Sequence, residues 1–384
     1  MNKILIINGY YFPSKNYGGP STSVFNLVSA LKDDFDFYIV AKNHDYGNKE
    51  VFSNIKEGWN ELNEGGHILY LSDEEYNYVT FYNLVKQLKI DLIYVSGFYF
   101  RHLKNPLWLY RKTQKPVVIA PKGELNGNAL KIQAFKKKIY IFLARLLGIY
   151  SKLYFHSTCE EEFWGLRKKI GISEDRILQI ENIPVGINHV VRSFESKAPL
   201  KIMSVGRVCE IKNNLEMIRC IVNANIPCIY DIYGNIEDKE YYQNCMKAVA
   251  ENKSSNIKIN FKGGIDHQEI LNLYKDYEIF FSLTKSENYG QAIAEALANG
   301  CRVILSKGTT PWDDIDGYAG IVVPLENIGG ISDYLNYVYH LNVDERKQYS
   351  QKVVDFAEQR LNITSIKEKY IHELNRLVSQ FCEK

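Results

Sequence analysis

The sequence has few of the features that mark a disulfide-stabilised or membrane-spanning protein. Its seven cysteines are odd in number and form no C-x-x-C pair, which argues against a disulfide framework and a cysteine zinc site. No apolar run approaches the roughly 20 residues that a spanning helix needs. We find no signal peptide, since the apolar run Ile4–Ile7 leads directly into Asn8 and Gly9 and predicts a first strand. These absences predict a cytoplasmic protein.

Net charge is also low, which argues against a dedicated nucleic-acid-binding protein. The 47 Lys and Arg residues nearly balance the 45 Asp and Glu residues, for a formal charge of +2. Residues 101–152 are the exception, because they hold twelve bases and a single acid, Glu124. Within them, residues 131–148 predict a basic amphipathic helix, for which two interpretations stay open. Either its apolar face packs on the core and its basic face is solvated, or it lies on anionic lipid as a peripheral contact at the inner face of the cell membrane.

What the chain does have is a regular alternation of short apolar runs with helical patterns, which predicts βαβ units and parallel sheets. The predicted strands are Lys3–Asn8, Phe37–Ala41, Asp91–Val95, Pro116–Ala120, Lys152–His156, Ile177–Ile180, Lys201–Val205, Cys228–Tyr233, Ile257–Phe261, Glu278–Leu283, Arg302–Leu305 and Ile321–Val323. The predicted helices are Thr22–Leu31, Phe81–Lys89, Phe135–Leu147, Glu160–Lys169, Asn213–Asn223, Lys239–Ala250, Gln268–Tyr274, Ala292–Ala298 and a helical C-terminus from about Ile328.

The length of 384 residues fits about two domains, at roughly 100–200 residues each. The alternation pauses between Glu181 and Pro199, where proline, glycine and serine recur. We predict an N-terminal domain at 1–185, a linker at 186–199, a C-terminal domain at 200–360, and a helix at 361–384 that packs back on the first domain. The expected fold class is α/β, with two doubly wound, Rossmann-like domains facing each other across a ligand-binding cleft.

Two loops that follow predicted first strands carry residues suited to a phosphate or a sugar. In the first domain, Gly18 and Gly19 open a helix whose N-terminus supplies N–H groups and partial positive charge; the alternative is an ordinary tight loop. In the second domain, Gly206 precedes Arg207 and Lys212, whose charges suit a diphosphate; the alternative is two solvated surface cations. Neither loop reads G-x-G-x-x-G, so a dinucleotide is not indicated.

The strongest motif is a pair of glutamates, Glu287 and Glu295, across a predicted strand–loop–helix junction. Backbone N–H groups at the helix start suit an anion, and the residues concerned are Asn288, Tyr289, Gly290 and Gln291. Glu295 lies among Ala, Ile and Leu, where a buried carboxylate needs partners, and a ribose diol would supply two donors. In the alternative interpretation Glu295 is exposed and Glu287 is an ordinary first-turn acid.

Together these motifs resemble family 4, also called group 1, of the retaining glycosyltransferases, which has the GT-B fold. The E-x7-E element corresponds to Glu287–Glu295, the diphosphate loop to Arg207 and Lys212, and the N-terminal glycine loop to Gly18 and Gly19. The resemblance also covers Ala120–Leu125, Phe155–Glu162, Ile183–Ile187 and Thr310–Trp312. This chain departs from many relatives at Val185, Tyr289 and Lys122.

The resemblance implies a retaining hexosyltransferase that moves a sugar from a UDP- or GDP-linked donor to a glycan acceptor. Arg207, Lys212 and Glu287 would be catalytic, and Glu295 would bind the ribose. The residues implied on the acceptor or sugar side are Gly18, Gly19, Lys122 and His156, with a structural histidine as the alternative for His156. Many relatives act on lipid-linked glycans, which implies an undecaprenyl-diphosphate-linked acceptor in O-antigen or capsule biosynthesis.

No cofactor is implied, and we expect no essential metal. The D-x-D triplets Asp34–Asp36 and Asp314–Asp316 resemble the metal ligands of the other main transferase fold, but we interpret both as solvated acids. Two other functions stay open. One is a sugar-nucleotide epimerase of the same fold, which needs no acceptor, and the other is a catalytically silent sugar-binding scaffold subunit. The scaffold is disfavoured because four site residues are retained together, namely Arg207, Lys212, Glu287 and Glu295.

Overall fold

The structure is a computed structural model that describes residues 1–15, 17–98, 105–124, 141–142, 144–146, 148–184, 186, 194–195 and 198–382. The chain divides into two compact units. Unit 1 comprises Met1–Ile183 together with Ile363–Lys384, and unit 2 comprises Pro184–Asn362. The chain therefore leaves unit 1, builds unit 2, and returns to unit 1 for its last helix.

Unit 1 is built on a mostly parallel sheet. Its strands are β1 (Asn2–Asn8), β2 (Phe35–Lys42), β3 (Trp59–Glu61), β4 (His67–Leu71), β5 (Leu92–Ser96), β6 (Val117–Ala120), β7 (Tyr154–Ser157) and β8 (Ile177–Gln179). They form one eight-stranded sheet in the order β3-β4-β2-β1-β5-β6-β7-β8, in which only β3 and β4 pair antiparallel. Ile4 and Ile6 of β1 join one hydrophobic cluster and Leu5 and Ile7 another, as expected for a strand buried on both faces.

Unit 2 is built on a fully parallel sheet. Its strands are β9 (Leu200–Val205), β10 (Cys228–Tyr233), β11 (Ile257–Gly263), β12 (Ile279–Ser282), β13 (Arg302–Ser306) and β14 (Gly320–Val323). They form one six-stranded sheet in the order β11-β10-β9-β12-β13-β14. Every neighbouring pair is parallel.

Helices pack on both sheets. The described helices of unit 1 before the crossover are α1 (Gly19–Leu31), α2 (Tyr78–Leu88), α3 (Asn105–Thr113) and α4 (Glu160–Gly165), which continues as a π-helical turn at Leu166–Ile170. The described helices of unit 2 are α5 (Asn214–Ala224), α6 (Lys239–Ala250), α7 (His267–Leu273), α8 (Gln291–Ala298), α9 (Gly330–His340) and α10 (Val343–Leu361). The last helix, α11 (Ile363–Cys382), returns to unit 1, where Ile366, Tyr370 and Leu374 share a core cluster with Ile4 and Ile6 of β1.

Each sheet has a topological switch point, where the chain turns from one side of its first strand to the other. This point lies between β1 and β5 in unit 1 and between β9 and β12 in unit 2. Parallel strands end at the same edge, so the loops after these strands meet, and open α/β sheets bind ligands there. The loop after β9 contains Lys212, the loop after β12 contains Glu287, and the loop after β1 contains Gly18.

The predicted α/β class with parallel sheets is confirmed, whereas some elements escaped sequence prediction. The missed elements are β3, β4 and α3. Strand β3 has three residues and pairs at the sheet edge, which is too short for a period-two pattern to show. The predicted helix at Phe135–Leu147, and most of the basic segment 131–148, lie outside the described residues. Of the helices that the structure does describe, none has the length and apolarity to cross a membrane.

Candidate functional site

Three loops meet at the carboxyl edge of the unit 2 sheet, where backbone hydrogen bonds hold them together. The Lys285 N–H donates to the Ile211 carbonyl at 2.8 Å, which joins the loop after β12 to the loop after β9. The Glu287 N–H donates to the Thr309 carbonyl at 2.8 Å, which joins the loop after β12 to the loop after β13. The main chain therefore fixes where the side chains of these loops can point.

Lys212 and Glu287 form an ion pair across the switch point of unit 2. The Lys212 Nζ contacts Glu287 Oε2, and both side chains are partly shielded, with exposures of 22% and 27%. The stem of Lys212 passes over Gly206, whose φ of +154° and missing side chain leave room, since a Cβ there would lie 3.3 Å from Lys212 Cε. The structure thus brings together two of the three predicted catalytic residues.

Arg207 is more exposed than Lys212 and has a different partner. Its side chain is 51% exposed, and its guanidinium pairs with Glu237 Oε2 at 2.5 Å. The sequence argument expected Arg207 and Lys212 to act on one diphosphate, but their observed carboxylate partners differ. An exposed pair of this kind contributes little to stability, so Arg207 can exchange Glu237 for an anionic ligand at small cost.

A second strand-end glycine, Gly234, shapes the loop that carries Arg207. Its N–H donates to the Gly263 carbonyl at 2.8 Å, and its φ is +147°. A Cβ at Gly234 would lie 1.9 Å from the Gly206 carbonyl oxygen, so only glycine fits between these backbones. Sequence reasoning missed Gly234. It could have been recognised because it directly follows the predicted strand Cys228–Tyr233, just as Gly206 directly follows the predicted strand Lys201–Val205.

Helix α8 begins at the same edge, directly after Gly290. Gly290 has φ +78°, and among the described residues no side chain caps the helix. A Cβ at Gly290 would lie 2.7 Å from Ile293 and 3.2 Å from the Trp312 indole nitrogen. That indole donates to the Tyr289 carbonyl, and the two rings pack edge to face at 5.4 Å between centroids. Trp312 therefore fixes the start of α8, where N–H groups and the helix dipole favour an anion.

The neighbouring residues Asn288 and Gln291 lie at the same helix start. Both are half-buried. The side-chain amide of Gln291 is buried at both its oxygen and its nitrogen, and neither atom has a hydrogen-bond partner among the described residues. A buried amide without partners is costly, so Gln291 is suited to a ligand that supplies both a donor and an acceptor.

Glu295 is buried, as its apolar surroundings in the sequence suggested. It is 3% exposed, and its two carboxylate oxygens accept from His267 Nε2 at 2.9 Å and from the Tyr274 hydroxyl at 3.0 Å. The donors that we expected from a ribose are thus supplied by the protein in this structure. Each carboxylate oxygen can accept a further hydrogen bond, so ribose binding stays a prediction. Burial and the adjacent Glu295 carboxylate raise the pKa of Tyr274, which keeps its hydroxyl a donor.

In unit 1, Gly18 and Gly19 lie exposed at the start of α1. Gly18 has φ +57° and ψ −126°, a positive-φ conformation that glycine adopts readily, and its carbonyl accepts from the Ser21 N–H at 3.0 Å. Among the described residues no side chain caps this helix either. Asn26, about two turns further along α1, donates from its side-chain amide to the Ile183 carbonyl at 3.1 Å, which holds the helix against the end of the unit.

Lys122 follows β6, and a buried polar side chain holds its ammonium group. Its Nζ donates to Asn182 Oδ1 at 3.2 Å, and its backbone has the unusual φ of +52°. Glu162 braces the same loop, since its carboxylate accepts from the Gly123 N–H at 2.8 Å and the Thr158 N–H at 2.9 Å. Burial lowers the pKa of Lys122 to about 8, against the opposing pull of Glu162. Lys122 thus places an amine of lowered pKa just after a strand end, which suits contact with a polar ligand.

His156 is buried, with both ring nitrogens engaged. It is 1% exposed, and the Tyr94 hydroxyl lies 2.7 Å from its Nδ1. Its Nε2 lies 2.8 Å from the Ile180 carbonyl, which can only accept, and 3.1 Å from the Tyr370 hydroxyl of α11. This arrangement favours the structural alternative for His156 over a sugar contact. The sequence could not show it, because Tyr370 lies 214 positions away.

The buried His156 predicts a stability loss in acid. Burial and the nearby Lys122 charge lower its pKa to about 3, below the ordinary value of 6.5. Between these values the unfolded chain binds a proton that the folded chain does not, so stability falls as pH drops below 6.5, by about 1.4 kcal/mol per pH unit. We expect denaturant unfolding to show a loss of about 2 kcal/mol between pH 7 and pH 5 that His156→Gln removes.

The matched control for this prediction is His372→Gln, because His372 lies in the same unit and is 73% exposed. That variant should keep the acid dependence of the wild type. If His156→Gln and the wild type lose stability in parallel between pH 7 and pH 5, the buried neutral state of His156 is wrong.

Comparison with known proteins finds a family match within unit 2. The sequence model described as "Glycosyl transferases group 1" matches residues 189–354, which include Lys212, Glu287 and Glu295. Residues 189–354, which are less than half of the chain, therefore match the group 1 glycosyl transferases. Two curated relatives carry the name "UDP-N-acetylglucosamine--peptide N-acetylglucosaminyltransferase GtfA subunit". One, from Streptococcus pneumoniae serotype 4, is 24% identical over 153 residues, and the other, from Streptococcus agalactiae, is 28% identical over 130 residues.

The matched stretches cover 38% and 33% of this chain but only 29% and 24% of those two relatives, so the chain spans less than a third of their length. Solved structures match over nearly the whole chain. The Anabaena protein HepE in complex with UDP-glucose has a TM-score of 0.71 at 13% identity, covering 98% of this chain and 100% of that one. Sucrose-phosphate synthase from Thermosynechococcus elongatus has a TM-score of 0.74 at 14% identity, covering 99% and 100%. The shared fold is GT-B, as the sequence resemblance implied.

Proposed function

We propose that the protein is a retaining glycosyltransferase that uses a nucleotide diphosphate sugar, preferentially UDP-linked, and transfers the sugar to a glycan acceptor. The observation that carries this proposal is the Lys212–Glu287 pair at the switch point of unit 2, beside the start of α8. Support for UDP comes from the relatives, since the two streptococcal proteins are named for UDP-N-acetylglucosamine and HepE was solved with UDP-glucose.

The donor diphosphate is proposed to bind at the carboxyl edge of the unit 2 sheet. Lys212 and the N-terminus of α8 supply positive charge there, and Arg207 adds its guanidinium when it leaves Glu237. Departure of the nucleotide diphosphate concentrates negative charge on the leaving oxygen, so preorganised cations and N–H groups lower the barrier. This arrangement stabilises the leaving group without a metal, and we propose that none is required.

Glu287 is proposed to do two things at once. One oxygen of its carboxylate holds the Lys212 ammonium in place, and the other oxygen accepts a hydrogen bond from a hydroxyl of the donor sugar. Glu295 lies deeper, with His267 and Tyr274 as fixed partners, and is proposed to accept the ribose hydroxyls with its remaining lone pairs. No nucleophilic side chain is assigned, in keeping with the front-face substitution that the family resemblance implies.

The acceptor is proposed to bind unit 1, near Gly18, Gly19 and Lys122. Gly18 and Gly19 leave backbone exposed for close approach, and Lys122 offers an amine whose pKa of about 8 allows both charged and neutral forms near pH 8. We further propose that the acceptor is a lipid-linked oligosaccharide in surface polysaccharide synthesis, as O-antigen or capsule. Membrane-surface contact through residues 131–148 belongs to the same proposal.

A thermal-shift screen tests the donor proposal. The full chain is heated with UDP, GDP, ADP and their common sugar conjugates, with and without EDTA. A ligand at 100 times its dissociation constant should add about 2.7 kcal/mol of stability, so a shift with UDP and its conjugates that EDTA leaves unchanged is expected. A shift that needs a divalent metal would contradict the metal-free mechanism. Absence of a shift with every nucleotide, from protein shown to be folded, would favour a scaffold subunit instead.

A further inference from the structure

Three tyrosine rings pack together at the carboxyl edge of the unit 1 sheet, outside the residues assigned above. We call Tyr10, Tyr17 and Tyr46 the tyrosine cluster. The ring centroids of Tyr10 and Tyr17 are 5.2 Å apart, those of Tyr10 and Tyr46 are 5.5 Å apart, and those of Tyr17 and Tyr46 are 6.2 Å apart. The planes are tilted or perpendicular to one another, so the rings form a faceted aromatic surface.

Two loops carry this cluster, and polar contacts fix both. The Tyr10 carbonyl accepts from the Asn8 side-chain amide at 2.7 Å and from the Ser21 hydroxyl at 3.0 Å, which ties the loop after β1 to helix α1. Asp45, beside Tyr46 in the loop after β2, accepts from the Ser14 hydroxyl at 2.5 Å and from the Lys15 N–H at 3.1 Å. The cluster is thus preorganised, because the main chains on both sides of it are tied down.

The cluster is continuous with the residues proposed for the acceptor. Tyr17 directly precedes Gly18, and its hydroxyl would lie 3.6 Å from a Cβ built on Gly9 at the end of β1. Burial and the Glu124 carboxylate raise the pKa of the Tyr17 hydroxyl. The tyrosine cluster therefore adjoins the glycine loop through Tyr17.

The surface is apolar in its faces and polar at its rim. Tyr46 is 54% exposed, and Tyr10 and Tyr17 are half-buried. The Lys42 ammonium lies 5.4 Å from the Tyr10 ring centre and pairs with Asp73 at 2.6 Å, so charged groups border the rings. A pyranose ring has matching chemistry, with a face of C–H groups and an edge of hydroxyls, whereas a purely apolar partner would leave the rim unsatisfied.

We propose that the tyrosine cluster is a carbohydrate subsite that packs against the C–H face of a pyranose in the acceptor glycan, with Tyr46 as the exposed wall. The inference deepens the proposed function, on which it rests, by naming the part of the acceptor that unit 1 recognises. Sequence reasoning missed it, because Tyr10, Tyr17 and Tyr46 are brought together by two different loops.

The test is binding of the fluorescently labelled full chain to immobilised mono- and oligosaccharides of defined structure, without nucleotide. The variants are Tyr46→Ala and Tyr46→Phe, and the control is Tyr337→Ala, since Tyr337 of unit 2 is also 54% exposed. We expect Tyr46→Ala to weaken glycan binding about threefold to tenfold, Tyr46→Phe to stay close to the wild type because it keeps the ring, and Tyr337→Ala to bind as the wild type.

Each other outcome overturns the subsite. The subsite is wrong if Tyr46→Ala binds glycans as tightly as the wild type, or if the wild type captures no glycan. It is also wrong if UDP alone displaces the glycan by occupying the cluster. A UDP thermal shift on the same protein separates this test from that of the proposed function. If UDP raises the unfolding temperature but the protein captures no glycan, only the subsite proposal is contradicted. If glycan capture depends on the cluster but no nucleotide raises the unfolding temperature, only the transferase proposal is contradicted.

Discussion

Replacement of Lys212 by alanine is expected to slow sugar transfer about 100- to 1,000-fold while leaving the fold intact, which corresponds to about 2.7–4 kcal/mol of transition-state stabilisation. The reason is that the Lys212 ammonium is held by Glu287 at the point where the leaving diphosphate would gain charge. Removing it also frees Glu287, whose unpaired carboxylate would then repel the donor phosphates. Steady-state rates of nucleotide release, with saturating donor, measure the effect.

The control for Lys212 is Lys115→Ala. Lys115 has a similar exposure of 34% and a comparable partner, since its Nζ lies 3.5 Å from Asp91 Oδ1, but it belongs to unit 1 and precedes β6. Both variants should unfold within about 1 kcal/mol of the wild type, because partly exposed ion pairs contribute little. Transfer by Lys212→Ala at the rate of Lys115→Ala would show that Lys212 is a surface cation and that the diphosphate lies elsewhere.

The second large effect is expected from Gly234→Ala, which should abolish the UDP-induced thermal shift and lower stability by about 3 kcal/mol. The added Cβ would sit 1.9 Å from the Gly206 carbonyl oxygen and 3.2 Å from the Arg207 nitrogen. These are backbone atoms, so no side chain can rotate away, and the loop that carries Arg207 must move. The midpoint of thermal unfolding should fall by roughly 6–12 °C.

The matched control is Gly263→Ala, at the end of the neighbouring strand β11. Gly263 has φ +75°, so alanine there is also strained, but no described atom lies within 4 Å of the added Cβ. That variant should cost about 1–2 kcal/mol and keep the UDP shift. If both variants keep the shift, Gly234 has no part in shaping the donor loop. If both lose it, backbone strain rather than the contact with Gly206 is responsible.

The sequence predicts the parallel strands of both units well, because strands buried on both faces are continuous apolar runs bounded by turn residues. Cys228–Tyr233 was recognisable for this reason, and the structure matches it. Ile257–Phe261 was recognisable instead by its alternating apolar and polar residues, and the structure extends it to Gly263. Strands β3 and β4 were less visible. Strand β4 is HILYL, in which only Ile68 and Leu71 are buried, and its pairing with β3 depends on contacts that a single sequence does not display.

Side-chain partners were the least predictable part of the site. The burial of Glu295 followed from its apolar neighbours, but His267 and Tyr274 reach it from the preceding helix and turn, 28 and 21 positions away. The pairing of Arg207 with Glu237 was hidden for the same reason. Local patterns predict which residues share a strand end, whereas the choice among nearby charges depends on distances that only the folded chain sets.

The partners of Lys122 and His156 also depend on the folded chain. Both occupy strand ends in unit 1, where a ligand contact was the natural expectation. Helix α11 changes that for His156, because Tyr370 covers its Nε2 from a segment at the far end of the chain. Lys122 keeps its place near the edge, held by Asn182.

The most direct test of the account is a proton and phosphorus NMR time course of the full chain with UDP-glucose or UDP-N-acetylglucosamine and a panel of sugar acceptors. We predict release of UDP together with a product whose new glycosidic bond keeps the anomeric configuration of the donor, in the presence of EDTA. Conversion of the donor to another UDP-sugar without UDP release would identify an epimerase. A product with inverted configuration, or a donor that stays unchanged with every acceptor, would contradict the retaining transferase.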